Sequence, residues 1–191
     1  MLSEKDNELI AVAASVAAGC VPCTTFHVRA AGTLGVGSEE IRQAAREAVR
    51  VRTVATSIMA RCGGLSSSEP TDPARAPGGS RSLIQELVAV GAAYAVTCTT
   101  SLEDHLAAAR REGATDAQIL TALKIACAVR EVSGQKAKAA AARFLGANEA
   151  EADACDCSGE DSKRSDSASR DRSSRPKGEG AGSCSCEDDS D

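Results

Sequence analysis

The chain has 191 residues, a net charge of −5 and only 2% aromatic residues, so it lacks the basic, aromatic-bearing surface that a nucleic-acid partner requires. With Phe26, Tyr94 and Phe144 as the only aromatics, a core must be built from Ala, Val, Leu and Ile, and the length suffices for one core or for two small repeats sharing one. The charge is uneven, net +2 over residues 1–148 and net −7 over residues 149–191.

Ser3 is placed to cap a first helix running to about Ala18, with Leu9, Ile10, Val12 and Val16 on its apolar side. Residues 9–28 carry no charged side chain, and Ala17-Ala18-Gly19-Cys20 is shaped like a lipoprotein cleavage site. Against export or a membrane partner, the preceding segment holds Glu4, Asp6 and Glu8 against Lys5, and the apolar run before Pro22 is short for a span. A cytoplasmic location is expected, where nine cysteines stay reduced and serve as catalyst or ligand.

Gly19 and Pro22 mark a break before a second helix, and proline suits a first turn. In helical spacing Cys20, Cys23 and His27 share one face, and Cys23 and His27 are i,i+4 neighbours. A thiol near its free pKa of about 8.5 is mostly protonated at neutral pH, so an adjacent imidazole or a helix N-terminus is needed to favour the nucleophilic thiolate. A second cysteine one turn away can then close a disulfide. Half of a zinc site and two small packed thiols are the competing readings, although no second CxxC or HxxxH completes a metal site.

Gly35-Val36-Gly37-Ser38 ends the second helix and caps a third, from Glu39 to about Met59. Arg29, Arg42, Arg46, Arg50 and Arg52 read as solvated faces. Residues 62–81, rich in Gly, Pro and small polar residues, read as a linker with Cys62 at its edge. Beyond it the sequence predicts helices over Leu83–Val96 and Cys98–Glu112, a third capped by Thr115 and Gln118, and a separate last helix over about Gly134–Phe144. Cys127, in the third of these, reads as a core residue.

Shifting the chain by 78 residues superposes Glu8 on Glu86, Cys20 on Cys98, His27 on His105, Gly35 on Gly113 and Ile41 on Ile119. Residues 8–52 then share 16 identities over 45 positions, seven of them alanines, and the paired histidines are the only two in the chain. This is an internal duplication, with repeats at 1–61 and 82–147. Its second copy is chemically incomplete, because Ser101 stands where the first has Cys23 and serine can be neither a thiolate nor half of a disulfide. The set Glu86, Cys98, Ser101 and His105 therefore reads as non-catalytic.

Glu, eleven residues, Cys-x-x-Cys, three residues, His, then Gly eight residues on and a new helix resembles the carboxymuconolactone decarboxylase family, and within it the alkyl hydroperoxide reductase D-like branch. The resemblance covers about residues 5–145 as two copies, and implies an all-α fold, a trimer or hexamer, and peroxide reduction through the cysteine pair. It further implies that Cys23 is peroxidatic and Cys20 resolving, that Glu8 and His27 relay protons, that no cofactor is required, and that a dithiol carrier or a peroxiredoxin is the partner. Pro22 departs from the pattern, since the best-known members carry histidine there. Lactone decarboxylation, the namesake activity, does not call for CxxC.

From about Asn148 the sequence turns to Ser, Asp, Glu, Arg and Gly, a composition that cannot bury enough surface to order itself, so residues 148–191 read as a disordered tail. That tail carries Cys155, Cys157, Cys184 and Cys186 as two Cys-x-Cys pairs, suited to a soft metal or metalloid such as zinc, copper(I) or trivalent arsenic, or to thiol exchange. A metal-binding thiol protein is the alternative function.

Overall fold

The computed structural model describes residues 1–66 and 81–146; most of the expected linker and the tail with its four cysteines lie outside the described residues. Among the described residues six helices make up an all-α architecture: α1 Glu4–Ala18, α2 Val21–Thr33, α3 Ser38–Cys62, α4 Leu83–Ala95, α5 Thr99–Arg111 and α6 Asp116–Leu145. Among the described residues no helix is long and apolar enough to cross a membrane.

Local signals account for the starts. Ser3 caps α1 in a reciprocal box with Asp6, Ser82 caps α4 with Gln85, and Thr115 caps α6 with Gln118. At α3 the N-cap is Gly37, whose backbone N–H donates to Glu40 Oε2 at 2.9 Å. Gly19, at φ 73°, ends α1 in the left-handed conformation that glycine adopts without steric cost. Its counterpart in the second copy is Thr97, held at φ 58° without that freedom.

The two central helices, α1 and α4, are buried almost all round, not on one stripe. Leu9 to Ser15 are all buried in α1, and Glu86 to Ala93 in α4. Alanine and glycine let them cross closely: a Cβ on Gly91 would stand 2.8 Å from Ile10 Cγ2. Around this pair α3 and α6 each pack on both α1 and α4, while α2 lies on α1 with α6, and α5 lies on α4 with α3. Exchanging α1, α2 and α3 for α4, α5 and α6 leaves the packing pattern unchanged, as the duplication implies.

One expectation fails. The separate helix over Gly134–Phe144 is the continuation of α6, which runs unbroken for 30 residues. Gly134 costs about 1 kcal/mol relative to alanine inside a helix, but the strong helix formers on both sides carry the chain through it.

Gly91→Val should overpack the crossing and lower unfolding stability by about 1–3 kcal/mol in urea denaturation. Adding Ile10→Ala, which removes the clashing branch, should restore more stability than Ile10→Ala alone would suggest; strict additivity of the two losses would show that the contact does not limit the approach.

Candidate active site

The turn between α1 and α2 assembles the thiol pair. Cys20 is the N-cap of α2, its Sγ accepting from the Cys23 backbone N–H at 3.3 Å, and Pro22 occupies the first turn. Cys20 and Cys23 are joined as a disulfide with their Cα atoms 5.3 Å apart, and both are buried. Arg52, expected on a solvated face, is exposed but donates from Nη1 to the Ala17 carbonyl at 3.1 Å, bracing the end of α1 beside the turn. A helix N-terminus directed at these sulfurs favours the anionic thiol once the pair is reduced.

Glu8, three turns back on α1, reaches across to α2, where its Oε2 lies 2.9 Å from His27 Nδ1. This contact fixes the ring and leaves Nε2 as the nitrogen that can exchange a proton with the site. Glu8, Cys23 and His27 line one cavity of about 650 Å³, and Cys20 does not form part of its wall. The rest of the lining is largely apolar, including Phe26 from α2 and Ile125, Val129 and Val132 from α6, with Lys136 beside them. The cavity is thus walled by both copies, with the thiol from one and much of the apolar face from the other.

The second copy repeats the dyad and closes the site. Glu86 Oε2 lies 2.8 Å from His105 Nδ1, but these side chains are 4% and 3% exposed, against 23% and 19% for Glu8 and His27. Cys98 and Ser101 are buried beside them in sequence, with Cys98 again the N-cap. Arg81 Nε contacts Glu86 Oε1 at 2.6 Å, and Glu47 binds both Arg81 and Arg50, while Arg50 Nη2 comes within 3.5 Å of His105 Nε2. Glu47 and Arg50 correspond, under the 78-residue shift, to Ile125 and Ala128 in the open cavity. One copy has apolar side chains where the other has a buried ionic cluster.

Two sequence expectations are corrected here. Arg50 belongs to this cluster and is only 13% exposed in its side chain, because α3 turns that residue toward α4 and α5. Cys127 is exposed and not part of the core, since α6 buries Ala126 and Val129 while turning Cys127 outward. Cys62 is also exposed. Among the described residues no group of three or more His, Cys, Asp and Glu is arranged to hold a metal, and Cys155, Cys157, Cys184 and Cys186 lie outside them. Sequence reasoning missed Glu47, Arg81 and the α6 wall; the repeat register, extended past the motif, held the signal for the wall.

The sequence model described as the carboxymuconolactone decarboxylase family matches residues 1–63 and 77–145. No curated protein and no solved structure matches the chain.

Burial alone would raise the Glu47 carboxyl, but the hydrogen bonds from Arg50 and Arg81, with their charges, outweigh it and hold the pKa below its ordinary value of 4.5. A depressed carboxylate contributes stability that is complete above its unfolded-state pKa and is lost as pH falls through the lower folded-state value. Stability measured from about pH 5 down to pH 3 should therefore fall more steeply for the unaltered chain than for Glu47→Gln. At neutral pH that variant should lose up to about 3–5 kcal/mol, because it removes a carboxylate shared by two buried guanidinium groups.

Proposed function

The chain belongs to the carboxymuconolactone decarboxylase family, and from that premise we propose that it is a thiol-dependent peroxide-reducing oxidoreductase of the alkyl hydroperoxide reductase D-like branch. The observation that carries this reading is the convergence of Cys23, His27 and Glu8 on one open cavity, with Cys20 bonded to Cys23 behind it. A decarboxylase would have no use for a vicinal thiol pair. The cavity lies within the usual range for small-molecule sites of roughly 300–1,000 Å³.

In the reduced enzyme His27, oriented by Glu8, takes the Cys23 proton. The thiolate attacks the peroxide; an S–O bond forms as the O–O bond breaks, and the departing alkoxide takes the proton back as the alcohol. Cys20 then attacks the sulfenic acid on Cys23, releasing water and forming the disulfide. A dithiol reductant or a peroxiredoxin-type partner returns the pair to the reduced state. Assignment of attack to Cys23 is supported by its place on the cavity wall, from which Cys20 is absent. The N-cap position of Cys20 suits the resolving role, because a sulfur already held by the Cys23 N–H is ready to act as thiolate and leaving group.

Pro22, in place of the histidine of the best-known members, leaves His27 as the imidazole available to the thiols. Exposed Val21 and Phe26, at 74% and 65%, support assembly into a trimer or hexamer through this end of the molecule. The reading places the enzyme in the cytoplasm, without nucleic-acid or membrane partners and without a required cofactor.

Peroxide consumption with a dithiol reductant tests it. Cys23→Ser should abolish turnover, whereas Cys20→Ser should accumulate sulfenic acid without an intramolecular disulfide. Sulfenic acid trapped on Cys20 and never on Cys23 would reverse the roles, and no peroxide consumption by the unaltered chain would remove the assignment.

Glu8→Gln or His27→Ala should slow the reaction by about 10²- to 10⁴-fold at unchanged helicity. Glu86→Gln and His105→Gln should cost stability and leave turnover by the folded protein within a few-fold. Equal kinetic losses at both dyads would contradict a single working site.

A further inference from the structure

Cys23 has a polar neighbour outside its own copy. Ser133, half-buried on α6, brings its Oγ to 3.6 Å from Cys23 Sγ, and the same Oγ lies 2.7 Å from the Val129 carbonyl oxygen. A carbonyl only accepts, so in this oxidised state the hydroxyl proton is directed to Val129 and the oxygen's lone pairs are left to other donors. The disulfide-bonded sulfur of Cys23 has no proton to give. Reduction changes that. A Cys23 thiol can donate to Ser133 Oγ while the hydroxyl stays on Val129, and a thiolate can receive the hydroxyl proton after rotation about a single bond.

The duplication provides an internal comparison. Under the 78-residue shift α3 and α6 are in register at their N-caps, Gly37 and Thr115, and at the buried pairs Ala44 and Ala122, Ala48 and Ala126, Val51 and Val129. Ser133 then falls on Ala55, which is 1% exposed. The copy with a thiol at the motif is faced by a hydroxyl, and the copy with Ser101 there has a methyl in the matching place. A serine needed only by its own helix would bear no relation to the cysteine.

We propose that Ser133 is a catalytic residue supplied by the second copy to the site of the first, accepting from the Cys23 thiol and donating to the thiolate. As the Cys23 proton passes to His27, the Ser133 hydroxyl turns from Val129 to the sulfur and lowers the energy of the anion. When the thiolate attacks the peroxide and the alcohol leaves, the same hydroxyl faces the sulfenic acid until Cys20 displaces its oxygen as water. The inference rests on the peroxidase reading only for Cys23 being the attacking thiol; the hydrogen bond itself is a property of the reduced site.

The test is the pH dependence of Cys23 alkylation by iodoacetamide, read by mass spectrometry on the peptide containing Cys23. It is made on the full chain carrying Cys20→Ser, which keeps an N-cap acceptor and prevents the disulfide. Hydrogen bonds to charged groups are strong enough that Ser133→Ala should raise the midpoint by about one pH unit, an approximately tenfold loss of thiolate at neutral pH. Ser133→Thr, which keeps a hydroxyl able to bond the Val129 carbonyl four residues back, should hold the midpoint of the parent. A parental midpoint in Ser133→Ala overturns the proposal, as does a Ser133→Thr midpoint displaced as far as that of alanine. A shifted midpoint in a chain that consumes no peroxide upholds the hydrogen bond from Ser133 to the Cys23 thiolate and overturns the functional reading, and with it the catalytic role.

Discussion

The close crossing of α1 and α4 is the constraint on which the rest of the molecule depends. Each of these helices carries the glutamate of one dyad, Glu8 or Glu86, and each is covered by a helix that carries the matching histidine. Ile10 can sit over the backbone of Gly91 because no side chain intervenes, and the neighbouring alanines keep the approach close along the pair. Short side chains bury little area one at a time, so a core of this composition must gain its stability from many contacts around a fully enclosed pair. The aromatic-poor composition and the central helix pair are therefore two views of one solution. Widening the crossing would separate α1 from α6 as well as from α4, and with it the two walls of the open cavity.

From that common frame the two copies reach opposite chemistry. The dyads are geometrically alike, 2.9 Å and 2.8 Å between histidine and carboxylate, yet one opens on an apolar cavity and the other lies under two guanidinium groups. An ionic cluster out of water needs its charges to compensate each other in place, since removal of ions from water costs several kcal/mol each. Glu47, Glu86, Arg50 and Arg81 provide that compensation from three separate parts of the chain: α3, the segment just before α4, and α4 itself. Arg50 and Arg81 thus stand against the second dyad, where the first faces its cavity. Ile125 and Ala128 at the positions of Glu47 and Arg50 carry no such demand, and the same backbone then encloses usable space.

Much of this was legible in the sequence because the repeat and the helix caps are local or periodic. Ser3, Ser82 and Thr115 announce their helices within four residues, and the 78-residue register predicts that Glu86 and His105 meet as Glu8 and His27 do. The pairing of Cys20 with Cys23 follows from adjacency. What was not legible depends on which helix covers which site. Arg50 looks solvated on a charge-rich α3 until α3 is seen to cover the second copy's dyad, and Ser133 looks like part of a helix break beside Gly134 until α6 is seen to run through it. Cys127 misleads for the same reason: an apolar stretch of α6 reads as buried all round, while its partners lie on one side only.

The placement of α3 and α6 also explains why a chemically incomplete second copy persists in the fold. If each copy folded its own third helix over its own dyad, the second could drift without consequence for the first. Here α6 supplies Ile125, Val129 and Val132 to the cavity that holds Cys23, and brings Ser133 to the sulfur. Helix α6 in turn is held by α4, whose enclosure relies on α3 and on α5 with its buried His105. Ser101 in the place of a second cysteine leaves all of these packing surfaces intact. The buried cluster built around Glu86 and His105 then supports the cavity that holds Cys23 at a distance, by holding in place the helices against which α6 is packed.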